Sequence, residues 1–259
     1  MTTLTLLVKA FNPRQLKLID DLLKTQFEEL DVEVAVLGAP VNKWVQVSVS
    51  GEDESVAASY IKKEFGTCPV NLENAKAASA LKGYISKVDL AKQQLVVDVG
   101  VFEPKVAHAT VQLANLQAQL MGDRQIALKK ISELYGLVEE MPLTVKVHPD
   151  GEENGNFVAE LSPEQVEKLG LWRDSLLDRL VVLRLSRDEV ERVVERTRLE
   201  RDVIGVETLG VFEFALTCKL GTDAAGLIPR VGRYMRNGRF VVFNARKIRD
   251  FLSEQDLTS

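Results

Sequence analysis

The chain has 259 residues, 46% hydrophobic and 27% charged, with a formal net charge of −5. That length supports one large domain or two to three small ones, each with its own core, and the apolar content excludes a disordered chain. The acidic balance excludes a protein whose whole body coats nucleic acid, because backbone binding is driven by cations that displace counterions, so any such surface must be local.

Alternation in LTLLVKA places Leu4, Leu6 and Val8 on one strand face, and Asn12-Pro13 then gives an N-cap with proline at the first helical position. This predicts a helix to about Glu29. The segments DVEVAVLG and WVQVSVSG follow as strands, EDESVAASYIKKEF as a second helix, and Cys68 to Leu72 as a short strand. The order is β-α-β-β-α-β, the ferredoxin-like pattern.

Next come three strands, KGYISKVDL, QQLVVDVGVF and VAHATVQL, one helix over residues 123–135, and two strands, PLTVKVH and GNFVAEL, around the loop PDGEENG. Three strands, a helix and two strands is the order of an OB-fold barrel. The third segment opens on Ser162-Pro163-Glu164-Gln165, read as a capping-box helix start, and leads into the strand RLVVLRLS. Ser186 and Glu189 form a second capping box before the stripe Val190, Val193, Val194, Thr197; then come DVIGVETLG, VFEFALTCKL, a glycine-punctuated stretch, RFVVF and a helix from Asn244. The whole is expected to be α+β: a ferredoxin-like unit over 1–80, an OB-fold-like β-barrel over 81–162, and a second, arginine-rich ferredoxin-like unit over 163–259.

Charge is unevenly built. Residues 1–162 hold 16 Lys and Arg against 22 Asp and Glu, whereas 163–259 hold 17 against 16. The cation also changes: two arginines precede residue 163, and 14 of the 17 basic residues after it are arginine, whose planar fork suits phosphate, carboxylate and aromatic stacking. In CKLGTDAAGLIPRVGRYMRNGRF, Gly221 and Gly226 have phosphate-loop spacing. Leu227 and Ile228, however, stand where that motif needs a lysine and a hydroxyl. With Gly226 as N-cap, Pro229 falls in the first turn and Gly238 stops the helix, so that Leu227, Val231 and Met235 face one way and Arg230, Arg233 and Arg236 the other. Arg239 and Arg246 extend the run. These arginines are candidate phosphate contacts or, equally, solvated residues paired with local acids.

In the barrel, Tyr84, Phe102, Lys105 and His108 are the aromatic and cationic residues that could stack bases and track phosphates, or else serve core and rim packing. Phe212 and Phe214 share a face with Leu216 and Cys218, which marks that face as core. Cys68 and Cys218 lie outside any Cys-x-x-Cys, and His108 and His148 have no metal spacing. No serine or cysteine sits in a nucleophile motif, so no catalytic residue, metal or cofactor is expected. The start MTTLTLLVKAFNPRQL has neither a basic leader nor a membrane-length segment, as expected of a soluble protein without a membrane partner.

The segments LWRDSLLDRLVVLRLSRDEV and RDVIGVETLGVFEFALTCKLGTDAAGLIPRVG resemble an archaeal family, domain of unknown function 2110. The resemblance runs the length of the chain and implies an archaeal cytoplasmic protein; it carries no catalytic residues. From architecture and charge placement, the leading expectation is a non-enzymatic RNA-binding or ribonucleoprotein-associated factor. The alternative is a protein-interaction adaptor of the transcription or translation apparatus that does not touch nucleic acid.

Overall fold

Strand β1 (Thr2–Lys9) leads into α1 (Pro13–Gln26), whose start is fixed as the sequence predicts: Asn12 Oδ1 accepts from Gln15 N at 3.0 Å, and Pro13 takes the first position. The computed structural model describes residues 1–153 and 155–256. Next come β2 (Val32–Val41), β3 (Trp44–Gly51) and α2 (Glu54–Glu64). The three strands form an antiparallel sheet in the order β1-β3-β2. Ile19 and Leu23 of α1 and Ala57 and Ile61 of α2 are buried, and Phe27 and Tyr60 meet edge to face at 5.4 Å between ring centroids. Burial of one helical stripe, not helix propensity, holds these elements down.

The short strand expected at Cys68 to Leu72 does not form as one piece. Thr67 makes a single antiparallel bridge to Leu6, while β4 (Val70–Asn71) pairs in parallel with Val101 and Glu103 at the end of β6 (Gln94–Glu103); the helix α3 (Leu72–Ala77) follows at once. Residues 1–75 and 100–106 make one compact unit, and 76–99 with 107–259 make the other.

In the second unit, β5 (Leu81–Asp89), β6, β7 (Ala107–Gln112), β8 (Pro142–Glu153) and β9 (Asn156–Leu161) close a five-stranded barrel in the order β5-β6-β7-β9-β8, with β7 and β9 parallel. One helix was expected between β7 and β8, and two are present: α4 (Leu113–Met121) and α5 (Leu128–Tyr135). Gly122 and Gly136 end them in left-handed conformation, at φ +59° and +64°, which explains why the helical pattern breaks near residue 122. Of the expected PDGEENG loop, Asn154 lies outside the described residues, and the backbone on either side continues the two strands to a Glu153–Asn156 pair.

Helix α6 (Pro163–Asp174) starts on Ser162, whose hydroxyl accepts from Gln165 N at 3.2 Å. It is not a capping box, because Gln165 Oε1 accepts from Thr144 N at 3.1 Å and so pins the helix to β8. Strand β10 (Arg179–Leu183), α7 (Arg187–Arg196), a 3-10 turn (Leu199–Arg201), β11 (Val203–Thr208), β12 (Glu213–Cys218), α8 (Ala224–Gly232), β13 (Arg239–Phe243) and α9 (Ala245–Asp256) complete the chain. Their sheet is antiparallel in the order β11-β12-β10-β13. The Ser186–Glu189 capping box forms in full, with Glu189 Oε2 accepting from Ser186 N at 3.0 Å.

One face of this sheet, with Leu180, Val182, Phe214 and Leu216, packs on Val190 and Val193 of α7 and on Leu227 and Val231 of α8. The opposite face is covered as well. Phe243 meets the rings of Tyr135 from α5 and Trp172 from α6 edge to face, at 6.0 and 5.2 Å between centroids. Every residue of β10 is therefore buried, Arg179 included, as the apolar run LVVL that follows it requires.

Gly100 tests packing in the first unit. It holds φ +75°, and a Cβ there would collide with the Cβ and Sγ of Cys68. Gly100→Ala is expected to cost about 1–3 kcal/mol through overpacking and backbone strain. The check is the urea midpoint, which an accommodated methyl group would leave unchanged.

Candidate functional site

Helix α8 begins three residues earlier than the glycine spacing suggests. Asp223, not Gly226, is the N-cap, and its Oδ1 accepts from Ala225 N at 3.1 Å. A short acceptor in extended backbone satisfies an orphan helical N–H better than glycine, which has no side-chain acceptor. Pro229 therefore lies inside the helix, and the helix closes at Gly232, leaving Arg233 at the C-cap and Arg236 beyond it. The expected face of three arginines on one helix does not exist as such.

Each of these arginines has its own setting. Arg230 Nη1 donates to Asp202 Oδ2 at 2.5 Å and its Nη2 to Thr197 O at 3.3 Å. Thr197 is the C-cap of α7, so a guanidinium placed there meets the negative end of that helix, which makes Arg230 a structural clamp between α7 and α8. Arg233 lies over the Tyr234 ring at 4.7 Å from its centroid, and Arg196, from the last turn of α7, lies over the same ring at 4.6 Å. Tyr234 is half-buried and packs on the core beneath both helices. Among the described residues, neither Arg196 nor Arg233 forms an ion pair, and both are exposed.

Arg239 does not join them. Strand β13 places it opposite Leu183, on the side of the sheet covered by α5, where it lines a shallow groove with Lys129 and Glu133. Arg246 is half-buried at the start of α9, and its charge acts on Asp178. The run of cations in sequence is thus divided between the two faces of one sheet.

The barrel candidates also separate. Phe102, half-buried, and Lys105, exposed, fall in the first unit, whereas Tyr84 and His108 fall in the second. His108 is half-buried on β7, and its backbone N–H donates to Asn156 Oδ1 at 3.0 Å. Tyr84 is 2% exposed and corrects the expectation of a stacking surface: its ring is core, and its hydroxyl donates to Glu213 Oε2 at 3.2 Å.

Glu213 is itself only 2% exposed. Its carboxylate accepts from Tyr84 Oη and, at 3.3 Å, from Phe212 N. Burial pushes its pKa up to about 7, opposed by the Phe212 N–H, the Tyr84 hydroxyl and the charge of Lys82, and aided by Glu140. Burial likewise draws the Lys82 ammonium below the usual lysine range, while the charge of Glu213 holds it up. Glu140 is held by a two-point ion pair with Arg184, whose Nε donates at 2.6 Å. The sequence signal for this burial is indirect: the apolar run LVVL of β10 marks a strand covered on both faces, and the structure places Glu213 opposite Leu183 on that strand.

The folded-state pKa of Glu213 lies above its ordinary value of 4.5, so its contribution is fully present below pH 4.5 and is lost as pH rises through about 7. Glu213→Gln is expected to gain stability relative to the parent on the order of 3 kcal/mol between about pH 4.5 and pH 8. Urea unfolding of both proteins across that range checks it; parallel curves would show that the carboxyl titrates normally.

No helix among the described residues is long and apolar enough to cross a membrane. No curated protein matches the chain. Three family models do: the DUF2110 N-terminal domain over residues 3–71, the DUF2110 central domain over 75–173 and the DUF2110 C-terminal domain over 177–243. Together they span nearly all of the sequence, and the chain belongs to the DUF2110 family.

Proposed function

We propose that this chain is a non-enzymatic RNA-binding factor, and that its phosphate contacts come from the seam between α7 and α8. The observation that carries this reading is the convergence of Arg196 and Arg233 on Tyr234. Two exposed guanidiniums held near one ring, with no acid paired to either among the described residues, make a local cationic spot that attracts an anion. Guanidinium planes against a tyrosine also form a stack on which an unpaired base can lie. Exposed Arg236 extends the cationic side just past the helix.

In the same reading the barrel is an OB fold and the sheets on either side of it in sequence are ferredoxin-like. The strand order β5-β6-β7-β9-β8, with helices between the third and fourth strands, supports the first assignment. The order β11-β12-β10-β13, built from a β-α-β-β-α-β sequence, supports the second for the C-terminal part. The barrel then serves as scaffold more than as reader, since β6 is buried on both faces from Val97 to Val101.

The test is retention of single-stranded RNA by Arg196→Ala/Arg233→Ala against the parent protein over a salt series. Losing two phosphate contacts should weaken binding and flatten the slope of log K against log salt by about 1.4. Arg230→Ala should lower thermal stability first, because its partners are Asp202 and the α7 carbonyl. A parent protein that does not retain RNA at low salt ends the proposal.

A second reading, a docking protein without nucleic-acid contact, is favoured by the edge strand β11, where Ile204 is 57% exposed beside unpaired backbone. Protein partners that survive nuclease treatment would support that reading instead.

A further inference from the structure

A cavity of about 220 Å³ opens between the barrel and α6, lined by Lys82 of β5, Leu143 and Thr144 of β8, and Lys168, Leu169 and Trp172 of α6. Its volume is that of roughly seven waters, or a single-ring organic molecule. Its walls are divided between an apolar and aromatic side, with Leu143, Leu169 and Trp172, and a polar side that carries Lys82, Thr144, Glu164, Gln165 and Lys168.

The charges around it are not all paired with one another. Lys168 is taken, since its Nζ pairs with Glu207 Oε1 at 2.7 Å. Glu164 stands exposed on the rim in the first turn of α6, where its own backbone N–H and the Ser162 hydroxyl hold its carboxylate below the usual range. Lys82 is half-buried and forms no ion pair among the described residues.

A desolvated ammonium without a partner is costly, and proteins keep one where something else completes it. We propose that this cavity binds a small aryl carboxylate, with the carboxylate on Lys82 Nζ and the ring against Leu143, Leu169 and Trp172. Occupancy would pair the lysine and fill the apolar wall at once. The groups facing Glu213, namely Tyr84, Lys82 and the Arg184-paired Glu140, add a condition. Below about pH 7 Glu213 is protonated and leaves Lys82 without a counter-charge, so the carboxylate binds more tightly there than at higher pH.

The experiment is calorimetric titration with phenylacetate and with its neutral isostere phenylacetamide, at about pH 6. Phenylacetate should bind in the millimolar range or tighter and at least roughly tenfold better than the amide, as a charge-assisted hydrogen bond requires. Lys82→Met should erase that preference, and Lys82→Arg should keep it. The comparison of the two ligands on the parent protein stands even if Lys82→Met fails to fold. Equal affinity for acid and amide, no saturable phenylacetate binding up to about 10 mM, or a preference that persists in Lys82→Met would each overturn the assignment.

Discussion

The second face of the C-terminal sheet is closed by α5, α6 and α9, and Trp172 is where that closure is made. Its ring meets Phe243 at 5.2 Å, its Nε1 donates to Glu207 Oε2 at 3.1 Å, and the Arg179 guanidinium lies 4.9 Å from its centroid. Arg179 Nη1 in turn donates to Trp172 O and Leu177 O, so a buried cation caps the helix that carries the tryptophan. At its other end the same helix is tied to β8 through Gln165 and Thr144. α6 thus belongs to barrel and sheet together, and a sheet with one bare face becomes one buried on both.

That closure sets the electrostatics. Once both faces are dry, any charged residue on β10 or β12 must be paired, protonated or used. Glu213 takes the second course, held by Tyr84 and shifted towards neutrality. Asp178 is buried at the start of β10, accepts from Asn244 Nδ2 at 3.1 Å, and has its pKa raised by burial. It positions the residue whose Oδ1 caps α9 by accepting from Lys247 N at 2.8 Å. Replacing such groups by apolar ones can be neutral or stabilising, so their value here lies in fixing which helix lies where.

The arginine-rich C-terminal third is more structural than its composition suggests. Arg179 caps α6, Arg184 holds Glu140, and Arg230 ties α8 to the end of α7 and to Asp202. Arg196 and Arg233 differ because their shared neighbour is an aromatic ring and not a carboxylate. A cation whose enthalpy comes from a π face keeps hydrogen-bond donors free for an incoming anion.

Features governed by a few neighbouring residues were fixed by the sequence alone. The Asn12-Pro13 helix start, the Ser186–Glu189 capping box and the core face of β12 through Phe214, Leu216 and Cys218 all formed as their patterns require. Caps and periodicity act within one or two turns, so their energetics are written locally. The tertiary structure decided the rest. Tyr84 meets Glu213 129 residues away, Arg184 meets Glu140 44 away and Arg230 meets Asp202 28 away, and each contact turns a plausible surface residue into a structural one. Whether a charge faces water or a partner depends on which segments fold over it, and that is set by burial of the β10 sheet on both faces, a property of the whole assembly of strands and helices.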